Sequence, residues 1–241
     1  YLIPILSHIA GQTIVTEKTL IVFDEVQLCE RALTSLKYFC EDAPDYHIIV
    51  AGSLLGVAVN RAKFSFPVGK VDMKTLYPMD MEEFMLALGE KDMVQQIKKC
   101  FQTDTPLPGA LHDAAIRLYR EYLVVGGMPE CVQQFVETRD YILVRHTQDT
   151  ILASYLNDMS KYNNLNEIKK TRLAYDNITV QLSKKNTRFQ YKLIKKGGRA
   201  SEFENAIEWL CLSGIVSQVY KVEQIKKPLE NYRDIDAFKI Y

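Results

Sequence analysis

No run of apolar residues approaches the roughly 18 that a helix needs to cross a bilayer, and neither a His-Glu-x-x-His nor a Cys-x-x-Cys pair occurs anywhere in the chain. The four histidines (His8, His47, His112, His146) are scattered. Metalloprotease and zinc-finger readings therefore fall away. The five cysteines (Cys29, Cys40, Cys100, Cys131, Cys211) are odd in number and widely spaced. That fits reduced thiols in a cytoplasmic protein better than a disulfide framework. Net charge is missing too, with 30 basic residues against 30 acidic ones. A globally electropositive nucleic-acid binder is disfavoured, although a local patch stays open. The opening YLIPILSHIA has neither a basic start nor a small-residue cleavage pattern, so it makes a poor signal peptide. No internal repeat or low-complexity tract is present. Tryptophan occurs once, at Trp209, and reads as a core residue.

What remains is ordinary globular material: 241 residues, 47% hydrophobic and 25% charged. This is enough for one large or two modest domains. Thr19 to Asp24 is a short apolar run ending in acid, a buried strand by length and β-branched content. Arg31 to Phe39 has helical spacing, and His47 to Ala51 is a second buried strand closed by Gly52-Ser53. Leu54 to Arg61 reads as a short helix and Val71 to Leu76 as a third strand. Continuous apolar strands separated by a helix predict a parallel α/β sheet covered on both faces.

From Asp80 the pattern turns helical. Asp80 with Glu83 forms a capping box ahead of Phe84 to Leu88. Pro106, Pro108 and Gly109 mark a loop, His112 to Val125 a helix, Gly126-Gly127-Met128-Pro129 an interruption, and Glu130 to Tyr162 more helix. Asn164 to Ser183 is helical again, and Ser201 to Ser213 carries a strong apolar stripe with Ser201 and Glu204 as a capping box. Gly214 sits where a helix-terminating glycine belongs, and Ile215 to Val222 is strand-like. Helices followed by a strand in this order suggest a winged helix-turn-helix.

Chemistry concentrates in Leu20-Ile21-Val22-Phe23-Asp24-Glu25. Four apolar residues bury a strand and deliver two adjacent acids at its C-terminal edge, where open α/β sheets bind ligands. Metal-assisted hydrolysis of a nucleotide needs one carboxylate to hold hydrated Mg²⁺ and another group to deprotonate the attacking water. Asp24 suits the first role and Glu25 the second. A buried strand whose end happens to be acidic is the plainer alternative. Ser53 ends the next strand at the same edge. Its hydroxyl can hydrogen-bond a γ-phosphate or the attacking water, or cap the helix from Leu54, and the two roles are compatible.

Taken in order, TLIVFDEVQ, ALTSLKYFCEDAPDYHIIVAGSLLGVAV, SFPVGKV, LYPMDMEEF and YLVVGGMPE resemble bacterial ATP-binding proteins of the AAA+ superfamily with a C-terminal domain of unknown function containing a winged helix. The resemblance covers essentially the whole chain. It implies a partial parallel-sheet P-loop NTPase core over residues 1–90, a helical lid over 91–162 and a winged-helix domain over 163–241. It implies that Asp24 and Glu25 are the Walker B acids, with Asp24 serving the metal, and that Ser53 is sensor 1. Gly126, Gly127 and Pro129 match a lid motif lying near the nucleotide base. ATP and Mg²⁺ are the implied cofactors, and a homo-oligomer is among the implied assemblies.

One departure stands out. The pattern GxxxxGK[ST] is absent, and Gly69-Lys70, followed by Val71, is no substitute. The resemblance places a P-loop upstream of Walker B, so the chain is expected to be a fragment starting after it. Without the amides and lysine that cradle phosphates, the fragment is expected to bind ATP very weakly and to turn over none. The family also continues past a strand like AFKIY, so a C-terminal truncation is expected.

Arg61 follows the helix after Ser53, a place where such proteins present an arginine finger to a neighbouring subunit. Lys70 is a second candidate, and Arg139 and Arg145 are candidates within the lid; for each, a solvated surface cation is the plainer reading. Lys184, Lys185, Arg188, Lys192, Lys195, Lys196 and Arg199 cluster without an intervening acid. They offer a nucleic-acid contact beside the helix from Ser201. Glu202, Glu204 and Glu208 on that helix oppose a major-groove role. A non-catalytic DNA-binding or protein-interaction module is therefore the competing reading to an ATPase.

Overall fold

The computed structural model describes residues 2–52, 69–162, 165–185 and 188–241. The chain divides into two compact units, Tyr1–Met73 together with Asn163–Tyr241, and Lys74–Tyr162.

In the N-terminal part of the first unit, helix α1 (Leu2–Ala10) precedes strand β1 (Leu20–Phe23), helix α2 (Glu30–Asp42) and strand β2 (His47–Val50). The two strands pair in parallel, with Leu20 opposite His47 and Phe23 opposite Val50. Alternation sends Phe23, Ile48 and Val50 onto Val26, Leu33 and Leu36, and Phe23 meets the Phe39 ring at 6.5 Å. Each such aliphatic side chain contributes about 1.5–3 kcal/mol when fully buried. The opposite face is open: Leu20, Val22 and Ile49 are each more than half exposed. Among the described residues, then, the sheet is two-stranded and covered on one side only, not on both as the apolar runs imply. Val71 to Leu76 forms no strand. It has no ladder partner among the described residues, and Leu76 is 98% exposed. The helix expected over Leu54 to Arg61 lies outside the described residues.

The second unit is helical: α3 (Met81–Ala87), α4 (Lys91–Gln102), α5 (Gly109–Val125), α6 (Pro129–Thr138) and α7 (Tyr141–Tyr162). Asp80 caps α3 as the sequence indicates. Its carboxylate accepts the Glu83 amide, and the Glu83 carboxylate accepts the Asp80 amide, both at 2.9 Å. Phe84, Val125, Cys131, Val132, Phe135 and Val144 make one core, and Met85, Met93 and Val94 a second. Because α3 supplies Phe84 and Met85 to these cores, the boundary drawn after residue 90 from sequence falls inside the unit. The helical stretch expected from Glu130 to Tyr162 consists of two helices. Arg139 takes a left-handed φ of 53° at the C-terminus of α6, and the Asp140 carboxylate accepts the Ile142 amide at 2.7 Å to start α7.

The C-terminal part of the first unit packs α10 (Ala200–Leu212) along α8 (Leu165–Leu182), with one turn of helix, α9 (Tyr191–Ile194), between them in sequence. Strands β3 (Gln218–Val222) and β4 (Arg233–Ile240) then form an antiparallel hairpin. Phe203, Ala206, Ile207, Trp209 and Leu210 bury one face of α10. Gln181, 4% exposed, is satisfied: its amide donates to Asn177 Oδ1 and the Gln190 carbonyl, and its oxygen accepts the Gln190 amide. Ser201 does not cap α10. Arg199 holds the N-cap position without a side-chain bond, and Ser201 is the second helical residue.

Candidate functional site

The acidic pair sits where β1 runs out. The Ala51 amide donates to the Phe23 carbonyl at 2.8 Å, and the Val26 amide donates to the Ala51 carbonyl at 3.0 Å. These two bonds bracket Asp24 and Glu25 and turn the chain out of the sheet within two residues. Asp24 Oδ1 accepts the Glu25 amide at 2.9 Å. Glu25 itself has φ 51° and ψ 40°, a left-handed conformation that costs a non-glycine residue on the order of 1 kcal/mol or more. Val26, 2% exposed, anchors the far side of the turn in the core beneath α2. Both carboxylates are thus held, exposed, at the C-terminal end of a parallel strand.

Exposed carboxylate oxygens suit a hard, hydrated divalent cation. Among the described residues no group of three or more His, Cys, Asp or Glu could cage a metal, so a cation here would keep most of its water. The phosphate side is different. With no GxxxxGK[ST] pattern in the chain, these residues fit a metal-and-water site but not a phosphate cradle. Ser53 and Arg61 lie outside the described residues.

Gly126, Gly127 and Pro129 lie wholly in the helical unit, and their geometry is tight. Gly126 takes φ 76° at the C-terminus of α5, and its amide closes on the Tyr122 carbonyl at 2.7 Å. Gly127 accepts the Met79 amide at 2.7 Å, and a Cβ on Gly127 would lie 2.1 Å from the Met79 carbonyl oxygen. That same oxygen accepts the Tyr122 hydroxyl at 2.9 Å. Pro129 opens α6 at its first position, where the missing amide costs nothing. Gln148 of α7 donates to the Val124 and Val125 carbonyls at 2.9 and 3.0 Å, satisfying the end of α5. Burial, then the nearby Asp80 and Glu83 charges, push the Tyr122 hydroxyl pKa up. Met79, Tyr122 and Gln148 escape a reading of the sequence. The adjacency of LYPMD and GGMP in one ordered motif series was the available signal.

The other sequence candidates divide. Lys70 pairs with Glu41 at 3.2 Å, Arg145 with Asp149 at 2.9 Å, and Arg139 lies over the Phe135 ring at 5.1 Å. None of these three is poised as an unengaged finger. Of the basic cluster, Lys195 pairs with Glu202 at 3.1 Å, and Arg188 donates to the Asp236 carbonyl at 3.1 Å. Lys184, Lys185, Lys192, Lys196 and Arg199 are exposed.

Residues 116–241, more than half of the chain, match the family described as a domain of unknown function, DUF8612. The chain belongs to the DUF8612 family. Residues 3–85 match the family described as an AAA domain. Among solved structures the chain resembles the Walker-type ATPase of Pyrococcus abyssi, with a TM-score of 0.53 and 13% identity. The match covers 99% of this chain and 63% of that one, so this chain spans less than two thirds of its neighbour's length. No curated protein matches it. At this identity the likeness concerns the fold, and with the AAA match it relates the chain to the P-loop ATPase class. Among the described residues no helix is long and apolar enough to cross a membrane.

Proposed function

We propose that this chain is part of an AAA+ ATPase, and that the intact protein hydrolyses ATP with Mg²⁺. The observation that carries this reading is the pair Asp24 and Glu25, exposed and bracketed by two hydrogen bonds to Ala51 at the end of a parallel strand. Mg²⁺ bound with ATP supplies charge neutralisation at the phosphate oxygens. In this reading Asp24 holds the cation through water, and the Glu25 carboxylate takes the proton of the attacking water. Ser53 donates its hydroxyl to the γ-phosphate, and Arg61 serves a neighbouring copy.

The helices and hairpin of residues 165–241 serve, in the same proposal, as a winged helix that passes the consequences of turnover to a partner. The order helix, short helix, helix, hairpin supports this, as does the Phe189 amide donating to the Phe238 carbonyl at 2.9 Å, which adds a third segment to the hairpin edge. A cytoplasmic setting belongs to the proposal and is supported by five cysteines that form no disulfide.

The test uses the polypeptide extended upstream to carry a P-loop. Fluorescent ATP should bind in an Mg²⁺-dependent way, and Asp24→Asn should weaken the Mg²⁺ dependence. Binding that ignores both Mg²⁺ and Asp24 would remove the metal role. The chain of residues 1–241 alone should bind ATP at least about 100-fold more weakly, since it lacks the phosphate-cradling amides.

A further inference from the structure

Charge in this neutral chain is unevenly distributed. Residues 163–241 hold 15 Lys and Arg against 9 Asp and Glu, and no acid occurs between Asp176 and Glu202. The seven cations of that acid-free stretch sit on a scaffold fixed at several points. The Asn177 amide donates to the Leu193 carbonyl at 2.9 Å, and the Gln181 side chain ties Gln190 to α8. In the following loop the Gly198 amide donates to the Lys195 carbonyl at 2.8 Å. A Cβ on Gly198 would press against the Tyr191 and Lys195 carbonyls at 2.8 and 3.0 Å. Lys196 and Arg199 therefore project from a backbone with little freedom. Lys184, Lys185, Lys192, Lys196 and Arg199 are all exposed, and among the described residues none forms an ion pair.

We infer that this basic ridge, from Lys184 to Arg199, binds the sugar-phosphate backbone of duplex nucleic acid, without reading its sequence. Three observations select that partner. Between residues 183 and 211 no large hydrophobic side chain is exposed among the described residues. The stretch itself thus supplies no apolar anchor of the kind that forms the centre of a protein interface, while a polar, cationic surface is what a phosphate backbone requires. The aromatics of the stretch are already engaged: Phe189 stacks on Phe238 with centroids 5.2 Å apart, and Tyr191 meets Phe189 edge-on at 5.1 Å. Single-strand binders need such rings free to stack on bases. Finally, α10 exposes Glu204 and Glu208, whose charges oppose insertion of that helix into a groove. Contact is left to the phosphates, which position a protein without specifying sequence.

The inference is independent of ATP hydrolysis and is tested on the chain as it stands. Fluorescence polarisation with two duplexes of about 20 base pairs and unrelated sequence should give affinities within about threefold of each other. The slope of log affinity against log salt should be about −3 to −4.5, at roughly 0.9 per phosphate neutralised. The double change Lys192→Gln with Lys196→Gln should flatten that slope by about two units for both duplexes, and Lys192→Arg with Lys196→Arg should restore it. Glu204→Gln with Glu208→Gln should leave the slope unchanged. Absence of binding at low salt, or a slope untouched by the Lys192 and Lys196 changes, would overturn the inference. So would polyglutamate displacing duplex at equal charge concentration, which would assign the ridge to an acidic protein.

Discussion

Met79 and Gly127, 48 positions apart in the chain, are locked backbone to backbone: the Met79 amide donates to the Gly127 carbonyl at 2.7 Å, and only a glycine hydrogen fits beside the Met79 carbonyl. The segment entering the helical unit is thereby fixed at Met79, immediately before the Asp80 cap starts α3. Among the described residues those just upstream make no such bond, with Leu76 98% and Tyr77 76% exposed. In the proposed ATPase the glycine pair of GGMP thus has a structural task in addition to any contact with the nucleotide.

Replacing Gly127 by Ala should break this lock, because the obstructing atom is backbone and cannot swing aside. The expected cost is about 2 kcal/mol or more, as for other overpacked sites. Hydrogen exchange measures it locally. In wild type the Met79 amide should exchange far more slowly than those of Thr75 and Leu76, and in Gly127→Ala it should exchange at their rate.

Tyr122→Phe removes the only donor to the Met79 carbonyl among the described residues and should cost about 1–2 kcal/mol. A pH signature separates this bond from simple packing. The folded-state pKa of Tyr122 is raised, so its contribution is complete below the ordinary tyrosine value near 10 and is lost as pH rises through the folded value. Denaturant midpoints followed from pH 8 upward should fall more steeply for wild type than for Tyr122→Phe; parallel curves would contradict the assignment.

Trp209 is 4% exposed, and its indole nitrogen is buried without a hydrogen-bond partner among the described residues. Trp209→Phe removes that donor but also part of the buried ring volume, so the two effects offset in part and the expected loss is about 1–2 kcal/mol. Trp209→Ala should lose about 3–5 kcal/mol through the cavity it opens. Chemical denaturation of both variants checks the contrast.

Thiol labelling should follow burial. Cys29 and Cys40 are exposed and should react first at neutral pH. Cys131 is buried, and burial followed by the Glu130 charge raises its pKa, so its reactive thiolate is scarce as well as shielded. Mass spectrometry after brief alkylation should find Cys131 unmodified until denaturant is added.

Much of the fold was legible because local patterns decided it. Apolar, β-branched runs marked β1 and β2, the Asp80–Glu83 spacing marked the start of α3, and Gly214, with φ 72°, marked the end of α10. The misreadings arose where local cues competed. Val71 to Leu76 has strand-like composition, but no neighbouring strand is there to pair with it among the described residues. Ser201 and Glu204 have capping-box spacing, yet the helix starts two residues earlier, with Arg199 at the N-cap, and leaves the serine inside it. Asp140 was an overlooked cap signal. The acidic pair was visible as residue types at a strand end, whereas the left-handed turn at Glu25 and the contact of Met79 with Gly127 depend on partners distant in sequence. No periodicity encodes those.

In the proposed ATPase Glu25 activates the attacking water, and turnover reads that role without an intermediary. Phosphate release should be followed at saturating ATP and Mg²⁺ for the P-loop-bearing protein and for its Glu25→Gln variant. The variant's rate should be at least about 100-fold lower, as expected for loss of a general base, with ATP affinity held within about threefold. Equal rates for the two proteins would contradict that role.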